Sequence, residues 1–306
     1  MNRYEDTPIV AAPDLRLDGI DAPAGWRMRP LGTACGLLVQ GLHLGQPFDD
    51  GEIALLRQLL CRFKVLVFRE QDLTPAQHVA FARRFGALEV HPMQKKHPDY
   101  PELVTFVSDA SRSGGENIWH ADTTFYETPS MGSILRCVEC PDHGGDTIFA
   151  NMVMVYDNLP AVVKERIADL TAWHDAALGY QAFAQTPEGR QMMQDKLRPV
   201  VHPVVRTHPE TGEKLLFINE AFTSHFANYK LVHGNKWNQD CPSRMHDLFT
   251  FLLRQVKTPE FQTRIAWQKD QVVFWDNRSV QHYAVSDYYP KVRSMQRATV
   301  IGDRPR

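Results

Sequence analysis

No stretch of the chain approaches the ~18 consecutive apolar residues of a membrane span. The start Met1-Asn2-Arg3-Tyr4-Glu5-Asp6 is polar and acidic, without the apolar core of a secretory signal. A membrane anchor is not expected, and a cytoplasmic protein is. An excess of one charge is missing too: 34 basic and 36 acidic residues leave a formal net charge of −2, and the basic residues are scattered. That excludes the electrostatic footprint by which nucleic acids or anionic bilayers are bound. Cysteine is scarce, since Cys35, Cys61, Cys137, Cys140 and Cys241 form an odd set too sparse for a disulfide scaffold. Reduced thiols are expected. Cys137 and Cys140 make a CxxC, but without a second pair or a redox context they read as small buried hydrophobes.

What is present suits a folded protein: 43% of the 306 residues are hydrophobic and 23% charged, enough for one large domain or two small ones. Residues 1–26 mix Pro, Asp and Ala without periodicity and suggest a loosely held N-terminal arm. Behind Asp49 and Asp50, Ile53, Leu56, Leu60 and Phe63 recur at helical spacing, and Val65-Leu66-Val67-Phe68 then reads as a buried strand. Thr74-Pro75-Ala76-Gln77 combines a capping threonine, a first-turn proline and a glutamine three after the cap, opening a helix that should end near Gly86. Two more helices are predicted, from about Pro160 and over 243–257, where apolar residues share a face. Strand signals cover 132–138, 147–150, 201–207, 214–219, 271–275 and 293–301. The pattern predicts a mainly β fold with helical additions, a sandwich or jelly roll.

An His-x-Asp/Glu pair on an extended segment puts two ligands on one side, because side chains at i and i+2 share a face. A distant second histidine completes the 2-His-1-carboxylate set that suits non-heme Fe(II). With 13 histidines and 36 acidic residues, about 1.5 such pairs arise by chance, so spacing alone decides nothing. Three occur: His97/Asp99, His120/Asp122 and His208/Glu210. The first and third enclose a proline in turn-like segments, whereas His120-Ala121-Asp122 follows Ile118-Trp119 and leads into Thr123-Thr124-Phe125. The middle pair is the candidate. His282, behind the apolar strand Val272-Val273-Phe274-Trp275 and the polar turn Asp276-Asn277, is the candidate third ligand. Downstream, Arg293 and Arg297 project from one face of a strand, which makes either a solvated strand surface with a cationic stripe or two anion clamps side by side, since guanidinium matches carboxylate geometry.

These residues resemble the taurine dioxygenase family (TauD/TfdA). The resemblance runs from about Pro30 to Arg304. It passes through Phe68-Arg69-Glu70-Gln71, Arg84-Phe85-Gly86, Trp119-His120-Ala121-Asp122, Gly144-Gly145-Asp146-Thr147, His202-Pro203-Val204-Val205-Arg206-Thr207-His208-Pro209 and Trp275-Asp276-Asn277-Arg278-Ser279-Val280-Gln281-His282. It implies a double-stranded β-helix, or jelly roll, in a single domain over 27–306. It also implies Fe(II) on His120, Asp122 and His282, with 2-oxoglutarate as cosubstrate and its distal carboxylate on Thr147 and Arg293. His91 and Arg297 are implied at the anionic end of the substrate. The reaction implied consumes O2, turns 2-oxoglutarate into succinate and carbon dioxide, and hydroxylates a small organic anion: a sulfonate, sulfate ester or carboxylate. A homo-oligomer is expected.

The resemblance departs in the pocket for a substrate amine. The family's taurine-cleaving members have a tyrosine where Gln94 stands, an asparagine at Glu116 and a serine near Gly179. Phe125, Tyr180 and Phe183 either line an apolar remainder or are ordinary core aromatics, and the replaced amine contacts predict that taurine is a poorer substrate than an anion with a longer or more apolar body. The alternatives are a taurine dioxygenase proper and a non-catalytic jelly-roll binding protein, since fold alone does not imply function.

Overall fold

Strand Val272–Asp276 is buried along its whole length, because it lies between Val65–Phe68 and Ser130–Glu139 and both its faces are covered. These strands belong to a seven-stranded sheet. Its order is Arg27–Pro30, Leu37–Gln40, Val65–Phe68, Val272–Asp276, Ser130–Glu139, Arg293–Ile301 and Leu103–Ser108. The protein is described here by a computed structural model covering residues 12–13, 15–111, 116–233 and 241–306. Most of the first half of the predicted arm and the Cys241 side chain lie outside the described residues.

One face of the large sheet offers Leu66, Phe68, Ile134, Phe274 and Val300 to the helices Asp50–Phe63 and Pro75–Arg83. Both helices begin as their sequences predict. Asp49 and Thr74 each accept the backbone N–H three residues on, and Glu52 and Gln77 return a bond to the cap. The same cluster takes in Leu15, Leu17, Ile20 and Trp26, so the later part of the arm is packed down. The other face, with Val65, Val67, Cys137, Val273, Trp275 and Met295, meets Phe149, Ile265 and Val280 of a three-stranded sheet. That sheet is ordered Gln262–Ile265, Thr147–Asn151, Val280–Ala284. The turn 277–279 carries the chain from one sheet to the other, so the strands bearing Trp275 and His282 face each other across the core. Helices Met152–Asp157, Ala161–Ile167 and Cys241–Gln255 cover the far side of the smaller sheet.

The predicted strand 201–207 is in fact two, Val200–Pro203 and Val205–Thr207, in different sheets. Val204 is the joint: its N–H goes to Leu170 and its carbonyl accepts from Phe217. Strands Leu103–Ser108, Thr171–His174 and Thr223–Phe226 carried too little periodicity to be predicted. The described cysteines behave as small hydrophobes. Cys35, Cys61 and Cys137 are buried and Cys140 half-buried, none in a disulfide, and burial pushes the Cys35 and Cys61 thiols up to about 12.

Candidate active site

His120 and His282 are cross-strand neighbours. The His120 N–H donates to His282 at 3.1 Å and the His282 N–H to His120 at 2.7 Å, and their rings stand 4.1 Å apart. Asp122 follows in a turn, where Thr123 takes a left-handed φ of 55° that a β-branched residue adopts only when its surroundings hold it. Asn277 supplies that hold: its Oδ1 accepts the Asp122 N–H at 2.7 Å, and its Nδ2 donates to the Asp122 carbonyl at 2.8 Å. A chain reversal two residues after His120 thus turns the Asp122 carboxylate toward both imidazoles.

The donor set fits an iron ion. His120 Nδ1 donates to the Ile118 carbonyl at 2.8 Å, which puts the proton on Nδ1 and leaves Nε2 a lone pair. Nε2 of His120 and of His282 lie 3.9 Å and 4.0 Å from Asp122 Oδ1. Two ligand atoms each ~2.1 Å from one ion can be as far as ~4.2 Å apart. His282 Nδ1 is buried without a partner among the described residues. Burial would push the Asp122 carboxyl up, but Arg297, His282, His120 and the Ser133 hydroxyl together hold it well below the usual range. The surroundings therefore favour the carboxylate anion. Arg297 Nη1 donates to Oδ1 at 2.7 Å and Ser133 Oγ to Oδ2 at 2.8 Å.

A cavity of about 590 Å³ opens onto these three residues. Arg293 and Thr147 share its wall at one side. Arg293 makes no hydrogen bond or ion pair among the described residues, and the rings of Trp267 and Tyr288 flank its guanidinium at 5.8 and 5.7 Å. A largely buried cation without a protein anion is costly until a ligand anion arrives. Thr147 Oγ1 accepts from Trp267 Nε1 at 2.9 Å, which leaves its proton to donate. Gly145 makes room for the clamp: its φ is +71°, and a Cβ there would lie 3.0 Å from the Tyr288 ring and 3.2 Å from Arg293 Cδ.

Of the residues predicted on the substrate side, Arg297, Gln94, Tyr180 and Phe183 line the cavity. His91 and Phe125 stand one layer behind. His91 reaches the wall through Tyr180, with Nε2 3.4 Å from its Oη, and Phe125 packs edge-on to Tyr180 and Phe222. At Gly179 a Cβ would fall 2.3 Å from the Phe222 ring, so the place where the taurine-cleaving members carry a serine is filled by an aromatic edge. Glu116 is also in the wall. Sequence reasoning gave no role to Asn277 or Ser133. The available signal was a serine inside an apolar strand and a polar run directly after a buried one.

A second cluster has the same residue types. Cys61, His208 and Asp276 bring potential ligand atoms within 4.8 Å of one another, as the triad does. It does not fit a metal. His208 Nδ1 accepts the N–H groups of Glu210 and Thr211, while Nε2 donates to Asp276 Oδ2 at 2.9 Å, so neither nitrogen has a lone pair to offer. Asp276 is taken by Arg278 through both oxygens, at 2.8 and 2.9 Å.

Comparison with known proteins agrees with the first site. The model of the taurine catabolism dioxygenase TauD, TfdA family matches residues 27–299. The chain belongs to that family. An alkylsulfatase of Acinetobacter baylyi is 33% identical over 290 residues, 90% of this chain and 85% of that protein. An alpha-ketoglutarate-dependent sulfate ester dioxygenase of Pseudomonas putida is 30% identical over 285 residues, 91% of this chain and 90% of that protein. The crystal structure of a taurine dioxygenase from Burkholderia xenovorans superposes with a TM-score of 0.76 at 31% identity, over 92% of this chain and 91% of that one. As a TauD/TfdA member this chain is an iron- and 2-oxoglutarate-dependent dioxygenase. No helix among its described residues is long and apolar enough to cross a membrane.

Proposed function

We propose that this dioxygenase hydroxylates a small sulfate ester or sulfonate with an apolar body, and that the hydroxylated product then falls apart at the carbon bearing the leaving group. The observation that carries this reading is the pair of arginines in one cavity. Among the described residues Arg293 has no anionic partner, and Arg297 spends a single N–H on Asp122 while its Nε is buried without a partner. Arg293 thereby calls for one ligand anion, and Arg297, already paired with Asp122, keeps N–H groups with which to take a second. The aromatic wall of Phe106, Tyr180, Phe183 and Phe222 favours an apolar body, and the Phe222 edge at Gly179 offers an amine no acceptor. The names of the Acinetobacter and Pseudomonas relatives point the same way.

In this reading His120, Asp122 and His282 hold Fe(II). Bound there, and with 2-oxoglutarate as the co-reductant, the ion supplies the activation of O2 that puts oxygen into a C–H bond. Arg293 and Thr147 grip the distal carboxylate of 2-oxoglutarate and so fix its other end toward the triad. Arg297 anchors the substrate's anionic group, which decides the carbon that lies nearest, and the aromatic rings exclude water from it. The frame is read as a double-stranded β-helix, a jelly roll of the two facing sheets, in one domain over 27–306 behind an arm over 1–26. We place the protein in the cytoplasm as a homo-oligomer without nucleic acid or membrane partners; light scattering checks the assembly.

Glu116 in the cavity wall favours a second reading, taurine itself, since a carboxylate there attracts an ammonium group. The deciding measurement is 2-oxoglutarate-dependent O2 uptake with Fe(II), comparing kcat/KM for an alkyl sulfate, an alkyl sulfonate, taurine and an aryloxyalkanoate. An alkyl sulfate or sulfonate is expected to lead. Taurine ahead of all others by about tenfold, roughly 1.4 kcal/mol of transition-state preference, would establish the second reading.

A further inference from the structure

Tyr180 looks at first like one more ring in the apolar wall, set edge-on to Phe125 at 6.0 Å and tilted against Phe222 at 6.1 Å. Its hydroxyl is in a different position. His91 begins an His-Pro-Met turn in which Nδ1 accepts the backbone N–H groups of Met93 at 3.3 Å and Gln94 at 3.2 Å. Burial, and then the nearby Arg297, push its pKa down to about 4, so the ring is neutral at pH 7. With Nδ1 acting as acceptor, the one ring proton sits on Nε2. That N–H points at Tyr180 Oη, 3.4 Å away, and Gln94 Nε2 donates to the same oxygen at 3.2 Å. Two donors therefore occupy the lone pairs of Oη, and the hydroxyl's own proton is left to be given away. Tyr180 and Gln94 line the cavity together with Arg297, whereas His91 does not.

We propose that Tyr180 is a substrate-binding donor, positioned by His91 and Gln94, which takes one oxygen of a tetrahedral sulfate or sulfonate group whose other oxygens Arg297 holds. This rests on the functional reading above and deepens it. A carboxylate has only two oxygens, and one guanidinium fork satisfies both; a third terminal oxygen needs a third donor. Tyr180 supplies it in forced donor polarity, so it discriminates between anions by shape as well as by charge. His91 acts through Tyr180 as a positioning residue.

The test compares hexyl sulfate with heptanoate on the iron-loaded enzyme, as wild type, Tyr180→Phe and His91→Gln. Tyr180→Phe keeps the ring and removes only the donor. Its KM for hexyl sulfate is expected to rise about tenfold or more, as for the loss of a hydrogen bond to a charged group, with the heptanoate and 2-oxoglutarate KM values within about twofold of wild type. His91→Gln is expected to move the sulfate-to-carboxylate ratio in the same direction by less, a shift that a merely structural loss would not produce. Calorimetric titration of hexyl sulfate into the same proteins gives a second readout independent of turnover. Unchanged selectivity and unchanged binding in Tyr180→Phe, in an enzyme that turns over hexyl sulfate, would overturn this inference alone. A wild type that neither binds nor oxidises any small organic anion would overturn the functional reading and this inference with it.

Discussion

Two buried clusters in this molecule are built from the same materials, and they do opposite work. His120 and His282 turn Nε2, and Asp122 a carboxylate oxygen, toward one point, and His120 Nε2 keeps its lone pair; Cys61, His208 and Asp276 are as close together, but His208 has no lone pair to offer. The difference is made by the backbone. Each of the turns His91-Pro92-Met93, His97-Pro98-Asp99 and His208-Pro209-Glu210 aims a main-chain N–H at the imidazole Nδ1. That consumes the acceptor and commits Nε2 to donate. In His120 the polarity is reversed, because Nδ1 finds a carbonyl two residues back. Between His120 and His208 it is the tautomer set by the local chain, and not proximity, that separates a possible metal ligand from a structural histidine.

The comparison breaks most sharply under substitution of one member from each cluster. His282→Ala is expected to lower 2-oxoglutarate-dependent O2 uptake more than about 100-fold, beyond what loss of a supporting partner costs, and to abolish stoichiometric Co(II) binding followed by absorbance. Stability should change little by comparison. Asp276→Ala should do the reverse. Arg278, 3% exposed, would lose its bidentate partner, and urea denaturation should show a loss of about 3–5 kcal/mol, with Co(II) still bound in proportion to the folded fraction. Metal binding surviving in the first variant, or full stability in the second, would invert the assignment of the two clusters.

Within the first site, Arg293→Ala is expected to raise the 2-oxoglutarate requirement, at a cost of about 2–5 kcal/mol, while Arg297→Ala chiefly raises the KM for the organic anion. Equal effects of both variants on both substrates would show that the two guanidiniums are not separate clamps. Acid sharpens the contrast further. Burial raises the Glu210 carboxyl, but Arg57 and Arg278 outweigh it and bring it down to about 2, below its ordinary 4.5. A carboxyl depressed in the folded state stabilises above its unfolded value, and that contribution fades as pH falls from about 4.5 toward 2. Glu210→Gln should therefore flatten this part of the stability profile, measured as Tm against pH, and leave metal stoichiometry unchanged. The smallest effect is expected from Ser133→Ala, which removes one hydrogen bond from Asp122 Oδ2 and should weaken Co(II) binding about tenfold.

The sequence by itself determined the local events whose causes are local. The caps at Asp49 and Thr74, the buried run Val65–Phe68 and the proline turns that disqualify His97 and His208 can all be read from neighbouring residues, because each is a contact within a few positions of the chain. It also marked His120, Asp122 and His282, and put both arginines on one face of Arg293–Ile301. What only the tertiary structure decided are contacts between residues far apart in the chain. Asn277 reaches the backbone of Asp122, 155 positions earlier, and Gln94 and His91 reach the hydroxyl of Tyr180, 86 and 89 positions later. The break at Val204 belongs with these, since periodicity continues across it and only the partners on either side differ. A side chain's type fixes how many protons it can give or take; the direction in which it gives them is set by whichever groups the fold brings alongside.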